Sequence, residues 1–201
     1  SAHWDTRPWA ENSSTIMRKN QPIIGANDGA SGVAVILELA KIMKKNPPPI
    51  GVSLVLFDAE DYGTSADSWS YAKGSQFFAQ NIPINYPMYA INLDMIADRE
   101  PEFYIERYSY QQNPTLVLEL WELAESLNLD TFKKQAKYTI FDDHVPLYQM
   151  AGIPAIDIID FDFPNEKTNY HHTHQDIVQN CSAKGLGEVG TLMLNHIYNI
   201  K

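Results

Sequence analysis

The feature that most constrains the fold is a short apolar run at residues 152–159, followed by a loop rich in histidine. The run contains several β-branched residues and begins with Gly-Ile-Pro, so it predicts a fully buried strand. The loop after it carries His171, His172 and His174. Because α/β proteins bind ligands at the carboxyl ends of their strands, this order predicts a metal or active site at that edge of a sheet.

Other predicted strands alternate with amphipathic helices. Residues 51–57 and 87–96 have the apolar character of buried strands, and residues 114–128 and 182–200 have helical spacing of apolar residues. A further helix follows the Asn-Asp-Gly at residues 27–29, with Asn27 or Asp28 as its cap. The alternation predicts an α/β domain with a mostly parallel sheet covered on both faces.

Composition limits the classes of partner. The chain has 201 residues, enough for one domain over residues 1–201, and a formal net charge of −10. No basic patch is present for nucleic acid, and no run of about 18 apolar residues is present for a membrane span. We therefore expect no nucleic-acid partner and no membrane insertion.

The chain begins Ser-Ala-His-Trp-Asp-Thr, which has the character of the end of a core strand. We therefore expect the sequence to lack an amino-terminal portion of the natural protein, including a targeting segment. The single cysteine, Cys181, cannot form an internal disulfide. With a missing targeting segment and one cysteine, we expect a periplasmic or secreted location.

Candidate metal ligands fall at strand ends or at a helix start: His3, Asp28, Asp61, Asp94 and His172. Two imidazoles with several carboxylates suit zinc, whereas calcium would require more oxygen ligands. Taken singly, Asp28 is also a good helix cap and His3 a plausible buried, hydrogen-bonded histidine. The recurrence of acids and imidazoles at successive strand ends favours the metal site.

Glu60 precedes the candidate ligand Asp61 just after a predicted strand. A turn at this point would direct one carboxylate to a metal and the other to the reacting group, as a general base requires.

The motifs of two rival chemistries, phosphate binding and serine hydrolysis, are absent from the sequence. The glycines near residue 29 are not followed by Gly-Lys-Ser/Thr, and no Gly-x-Ser-x-Gly is present.

The ordered motifs resemble those of the zinc aminopeptidases and their relatives, the glutaminyl cyclases. The motifs are His-Trp-Asp from residue 3, Asn-Asp-Gly-Ala-Ser-Gly from 27, Phe-Asp-Ala-Glu-Asp from 57, Asn-Leu-Asp-Met from 92 and His-Thr-His-Gln-Asp from 172. The resemblance implies a three-layer α/β/α sandwich with a mixed, mostly parallel central sheet.

The resemblance also implies the roles of individual residues. Asp28, Asp61 and His172 would bind one zinc ion, and Glu60 would be the general acid and base. In the aminopeptidases a second zinc would lie on His3 and Asp94, bridged by Asp28. The expected cofactor is therefore one zinc ion, or two if that second set is used.

Asp142 favours the cyclase branch, closest to the bacterial glutaminyl-cyclase-like proteins, because the aminopeptidases usually have serine at this position. Asp94 and Asp142 would then be catalytic acids beside Glu60, with Asp94 in hydrogen-bonding reach of one of the other two. The expected pocket residues are Trp69, Phe163 and His171; the alternative for the first two is a place in the core.

The predicted activity is conversion of amino-terminal glutamine into pyroglutamate with release of ammonia. The alternative is a zinc aminopeptidase that removes amino-terminal residues, and a catalytically inactive binding module is the third possibility. Either enzyme would take peptide or protein amino termini as its partners, and a monomer is the expected state.

Overall fold

The structure, a computed structural model, describes residues 1–83 and 85–200. The helices are α1 (Ala30–Lys45), α2 (Lys73–Asn81), α3 (Arg107–Gln112), α4 (Pro114–Ser126), α5 (His144–Ala151) and α6 (Ala183–Asn199). The strands are β1 (Ala2–His3), β2 (Leu56–Phe57), β3 (Ala90–Asp94), β4 (Phe103–Ile105), β5 (Phe132–Ala136), β6 (Ala155–Ile159), β7 (Pro164–Asn165) and β8 (Thr168–Asn169). Within the described residues, no helix has both the length and the apolar character needed to cross a bilayer.

The central strands are parallel, as predicted. β1 pairs with β2, β3 with β6 and β4 with β5, all in parallel register. Backbone hydrogen bonds join β1 to β3, from Ser1 N to Ile91 O at 2.6 Å and from Leu93 N to Ser1 O at 2.9 Å. β4 packs beside β6, and β7 and β8 form a small antiparallel hairpin. Every residue of β6 is buried, which confirms the strand predicted from residues 152–159.

Helices cover both faces of this sheet. Because strand residues alternate between faces, Ile156 and Ile158 lie on one side of β6 and Ala155 on the other. The first side packs on the core formed by α1, α4 and α6, and Ala155 packs with Leu147 of α5 and Phe57 of β2. The arrangement is the three-layer α/β/α sandwich that the motifs imply.

Several elements differ from the sequence prediction. β2 is limited to Leu56–Phe57, and Leu54 and Leu56 are 39% and 41% exposed rather than buried. Among the described strands, β2 pairs only with β1. α1 begins after Gly29 without a side-chain cap, so the prediction that Asn27 or Asp28 caps this helix is wrong.

Candidate metal and catalytic site

Three buried side chains from different elements meet at one edge of the sheet. His3 ends β1, Asp94 ends β3 and Asp28 lies just before α1. His3 Nε2 lies 3.1 Å from Asp28 Oδ1 and 3.1 Å from Asp94 Oδ1. Because β1 and β3 are neighbouring parallel strands, their last side chains emerge at the same edge. The structure therefore brings together the residues of the predicted second metal set.

The remaining predicted ligands are His172, which lies near the other carboxylate oxygen of Asp28, and Asp61, which contacts His172. His172, in the loop after β8, places Nε2 3.8 Å from Asp28 Oδ2 and 2.9 Å from Asp61 Oδ1. Asp61 lies in the loop after β2. Asp28 consequently lies between the imidazoles of His3 and His172, and all five predicted ligands form one cluster.

The cluster has the donors and the charge that a zinc ion requires. Among the described residues, the buried atoms Asp28 Oδ2 and Asp61 Oδ2 have no hydrogen-bond partner. Buried carboxylate oxygens without donors are costly, and a coordinated cation would satisfy them. Imidazole nitrogens beside carboxylate oxygens match the ligand preferences of zinc, so the residues present fit this ion.

Two further carboxylates hold the backbone of the predicted ligands. Asp5 accepts hydrogen bonds from Glu60 N and Asp61 N, both at 3.1 Å, and its Oδ1 lies 3.5 Å from His3 Nδ1. Asp176 accepts hydrogen bonds from Asn27 N at 2.7 Å and from Asp28 N at 3.1 Å. Asp5 thus contacts His3 and also fixes the turn that carries Glu60.

Left-handed backbone conformations occur at the same places. The φ angles are +54° at Ala59, +47° at Met95 and +56° at His172. Non-glycine residues adopt this region rarely and at a cost of about 1–3 kcal/mol, so it persists where surrounding contacts enforce it. Each of these residues either is a predicted site residue or is adjacent to one.

A buried group of acids lies next to this cluster. Asp142 accepts a hydrogen bond from Asn92 Nδ2 at 2.9 Å, and one of its carboxylate oxygens lies within 4.8 Å of a carboxylate oxygen of Asp157. Burial, and then the charges of Asp61 and Asp142, raise the pKa of Glu60 well above its usual value. Burial and Asp142 also raise the pKa of Asp157. Neighbouring buried carboxylates cannot all be ionised, so this group retains protons.

Asp94 differs from the prediction in its hydrogen bonds. Its Oδ1 contacts His3 Nε2 and accepts a hydrogen bond from Met95 N at 2.8 Å, whereas the expected partner was Asp142 or Glu60. Burial raises the pKa of Asp94 to about 7, against the opposing effect of His3, and the charge of Asp142 contributes to the rise. Asp142 therefore influences Asp94 through its charge.

The expected pocket residues have different environments. Trp69 is 38% exposed, and its ring centroid lies 5.0 Å from that of Phe141. His171 stacks on His172 with centroids 3.6 Å apart and lies 5.0 Å from the ring of Phe161.

Phe163 has no exposed surface and packs in a small core with Met95 and Ile159. The prediction that Phe163 lines the pocket is therefore wrong, because its side chain points into the core. Phe161, two residues earlier, is the phenylalanine that faces His171.

The sequence pattern did not single out Glu11, which contacts the histidine loop. Glu11 Oε1 lies 3.0 Å from His172 Nδ1, although Glu11 belongs to the long polar loop after β1. His174 lies 3.0 Å from Arg18 O and so ties the histidine loop to that segment. A polar cavity of about 410 Å³ near Lys137 and Asp162 lies apart from the predicted site residues.

The fold is the one shared by crystallised zinc-dependent exopeptidases and glutaminyl cyclases. A crystallised glutaminyl cyclase of Bacteroides thetaiotaomicron, bound to N-acetylhistamine, is 35% identical with a TM-score of 0.94, over 100% of this chain and 72% of that one. A leucine aminopeptidase precursor from the same organism is 35% identical with a TM-score of 0.93, over 100% of this chain and 71% of that one.

Residues 1–197 match Peptidase family M28, and the chain belongs to this family. Aminopeptidase YwaD of Bacillus subtilis is 26% identical over 206 residues, which are 98% of this chain and 40% of YwaD. The chain thus spans about two fifths of the length of that curated relative. M28 is a family of peptidases, and the proteins to which the chain is similar include both glutaminyl cyclases and aminopeptidases.

Proposed function

We propose that this domain is a zinc-dependent glutaminyl-peptide cyclotransferase, which converts the amino-terminal glutamine of a peptide into pyroglutamate and releases ammonia. The observation that favours this reaction is the buried carboxylate of Asp142, close to Asp157 and acting electrostatically on Glu60. A group of acids that shares protons suits the transfer of hydrogen from an amine to departing ammonia. A serine hydroxyl, which the aminopeptidase pattern has at this position, would not provide it.

The ligand set of the proposed enzyme is Asp28, Asp61 and His172, and bound zinc supplies Lewis-acid polarisation of the substrate amide oxygen. Glu60 takes a proton from the attacking α-amine on its carboxylate and returns one to the amide nitrogen as the carbon–nitrogen bond breaks. Burial, and then the charges of Asp61 and Asp142, raise the proton affinity of Glu60, so that Glu60 holds the proton until it passes it to the departing nitrogen.

An aminopeptidase is the second candidate function, and the geometry of His3 favours it. His3 Nε2 lies 3.1 Å from an oxygen of both Asp28 and Asp94, which suits a second cation bridged by Asp28. Glu60 would then act as the base that activates water for hydrolysis of the first peptide bond.

One paired assay distinguishes these reactions. Purified protein with measured zinc content is given a glutamine-initiated peptide and a leucine-aminoacyl reporter in parallel. The cyclase proposal predicts ammonia release and a pyroglutamyl product, with little leucine release. The same peptide with an acetylated amine is the control, because it cannot cyclise. Faster leucine release than cyclisation would assign the domain to the aminopeptidases.

The metal assignment has its own test. Asp61→Ala should remove zinc and activity together, since Asp61 supplies one of three proposed ligands. Glu125→Ala, which changes an exposed carboxylate paired with Lys134, is the matched control and should retain zinc. An Asp61→Ala protein with full zinc by elemental analysis would contradict the assignment.

The proposed enzyme acts as a monomer in the periplasm or outside the cell, a location supported by its peptide substrates. Cell fractionation of the native source and light scattering of the purified protein test these statements. Recovery in the cytoplasmic fraction, or a stable dimer, would contradict them.

A further inference from the structure

The long polar loop after β1 contains a buried guanidinium. Arg7 is 2% exposed, and its Nη1 donates hydrogen bonds to Asp61 O at 2.5 Å and to Gly63 O at 2.9 Å. A buried charge is tolerated only when it is paired and hydrogen-bonded. One edge of the Arg7 guanidinium therefore fixes the backbone that carries the proposed ligand Asp61.

The other edge of the guanidinium holds a carboxylate. Arg7 Nε donates to Glu11 Oε1 at 3.0 Å, and Nη2 donates to the same oxygen at 2.6 Å. Glu11 Oε1 also lies 3.0 Å from His172 Nδ1. A carboxylate that accepts the Nδ1 proton keeps Nε2 unprotonated and directs it at a cation. His172 Nε2 is the atom that faces Asp61, at 2.9 Å.

Aromatic rings fix the position of the guanidinium. Arg7 Cζ lies 4.6 Å from the centre of the Trp9 ring and 5.3 Å from that of the Tyr71 ring. Such cation–π contacts add to the hydrogen bonds and restrict the orientation of the side chain. Every polar edge of Arg7 thus has a partner connected to Asp61 or to His172.

We propose that Arg7 and Glu11 form a clamp that positions the two ligands Asp61 and His172 and thereby sets the affinity of the site for zinc. The clamp joins segments that are far apart in sequence, since Glu11 and His172 are separated by 161 residues. Both are positioning residues that act through the ligands. The inference rests on the proposed metal site but not on which of the two reactions that site performs.

The test measures zinc binding directly. Glu11→Gln retains an acceptor oxygen but loses the charge, and Glu11→Ala loses both. We expect zinc dissociation constants, from chelator competition, to rise in the order wild type, Gln, Ala, with a total loss of about 10–100-fold. The control is Glu38→Gln, which removes an exposed ion pair with Lys41 and should leave zinc affinity unchanged.

Melting temperatures distinguish a merely structural role of Glu11 from its proposed role in the clamp. A structural role would lower the melting temperatures of the apo and zinc-loaded proteins equally, whereas the clamp predicts a smaller rise on adding zinc. Arg7→Lys is the alternative variant if Glu11→Ala fails to fold. It retains a positive charge but loses the donors on two edges of the guanidinium, so it should also weaken zinc binding. In a double-mutant cycle, the effects of Arg7→Lys and Glu11→Gln should be less than additive.

Two outcomes would overturn the clamp. Unchanged zinc affinity in the Glu11 and Arg7 variants would do so, as would an equal loss of melting temperature with and without zinc. Asp61→Ala separates this failure from failure of the metal site. If Asp61→Ala loses zinc while the Glu11 variants retain it, only the clamp fails; if all retain it, the metal assignment fails as well.

Discussion

Adjacent carboxylates at positions 60 and 61 face different partners. Asp61 lies 2.9 Å from His172 Nε2, whereas Glu60 is buried beside the charges of Asp61 and Asp142. The left-handed conformation of Ala59 and the hydrogen bonds to Asp5 set the turn that separates them. In the proposed enzyme, Asp61 would bind the metal and Glu60 would exchange protons.

Glu60→Gln is expected to reduce turnover by at least about 100-fold while zinc content and melting temperature stay close to wild type. The amide has nearly the same shape as the carboxyl group but cannot accept and return a proton. Turnover with the glutamine-initiated peptide, zinc content and melting temperature are measured on one preparation. Near-normal turnover would remove Glu60 from the proposed mechanism.

Asp157 gives a prediction for the pH dependence of stability. Its raised pKa means that the folded chain keeps a proton that the unfolded chain releases, so stability falls as pH rises above the usual carboxyl range. Asp157→Asn imitates the protonated group and removes this contribution. Urea unfolding at about pH 5 and about pH 8 should show a smaller loss of stability in the variant than in wild type. Parallel losses would mean that Asp157 is ionised in the folded protein.

At the scale of elements, the start of α1 depends on a glycine. A Cβ on Gly29 would lie 2.4 Å from His3 Nε2 and 2.6 Å from His3 O, so α1 and the end of β1 could not keep their separation. Gly29→Ala should therefore destabilise the fold by about 1–3 kcal/mol in urea unfolding.

Gly190→Ala is the matched control for this substitution. Gly190 lies inside α6, and a Cβ there meets no described atom within 4 Å. The control should stabilise the protein by about 0.5–1 kcal/mol, because alanine favours helix more than glycine does. A Gly29→Ala protein as stable as wild type would show that the contact with His3 can relax.

Helices and strands with a strong apolar pattern are predictable from this sequence, and short polar helices and strands are not. β6 and α4 follow from their apolar patterns, and the motifs at their ends locate the cluster around Asp28. β5 exposes three of its five residues, and α3 is a short polar helix whose first N–H groups are held by Glu106. Neither has an apolar face that a pattern could reveal.

The same limit applies to the residues that support the site. Glu11 has no local signal, because its partner His172 is 161 residues away. Asp176 closes the motif His-Thr-His-Gln-Asp, which suggests importance, but only the fold shows that it holds the backbone of Asn27 and Asp28. Phe161 and Phe163 are alike in sequence, and only the packing separates the partly buried ring of Phe161 from the fully buried ring of Phe163.

At the scale of the whole molecule, the parallel sheet collects acidic groups at one edge. His3 and Asp94 end neighbouring strands, and the loops that follow β2 and β8 bring Asp61 and His172 to the same place. This cluster contains more carboxylates than imidazoles, in a chain whose formal net charge is already −10. Folding therefore gathers negative charge that a bound cation would offset.

This gathering predicts a strong link between zinc and stability. A ligand that binds only the folded state stabilises it by about 4 kcal/mol at a concentration of about 1,000 times its dissociation constant. Chelator-treated protein should therefore melt at a lower temperature than zinc-loaded protein. Because imidazole nitrogens suit zinc better than magnesium or calcium, adding magnesium or calcium should restore little of the lost melting temperature.

Calorimetry of the apo protein with each ion, beside the Asp61→Ala variant, measures the specificity of this link. The melting temperature of the variant should rise little on adding zinc, since the variant lacks the proposed ligand Asp61, which lies in the loop after β2. An equal rise in melting temperature with magnesium and zinc would indicate nonspecific screening of the acidic edge. It would then follow that the imidazoles of His3 and His172 serve the hydrogen-bond network and not a metal.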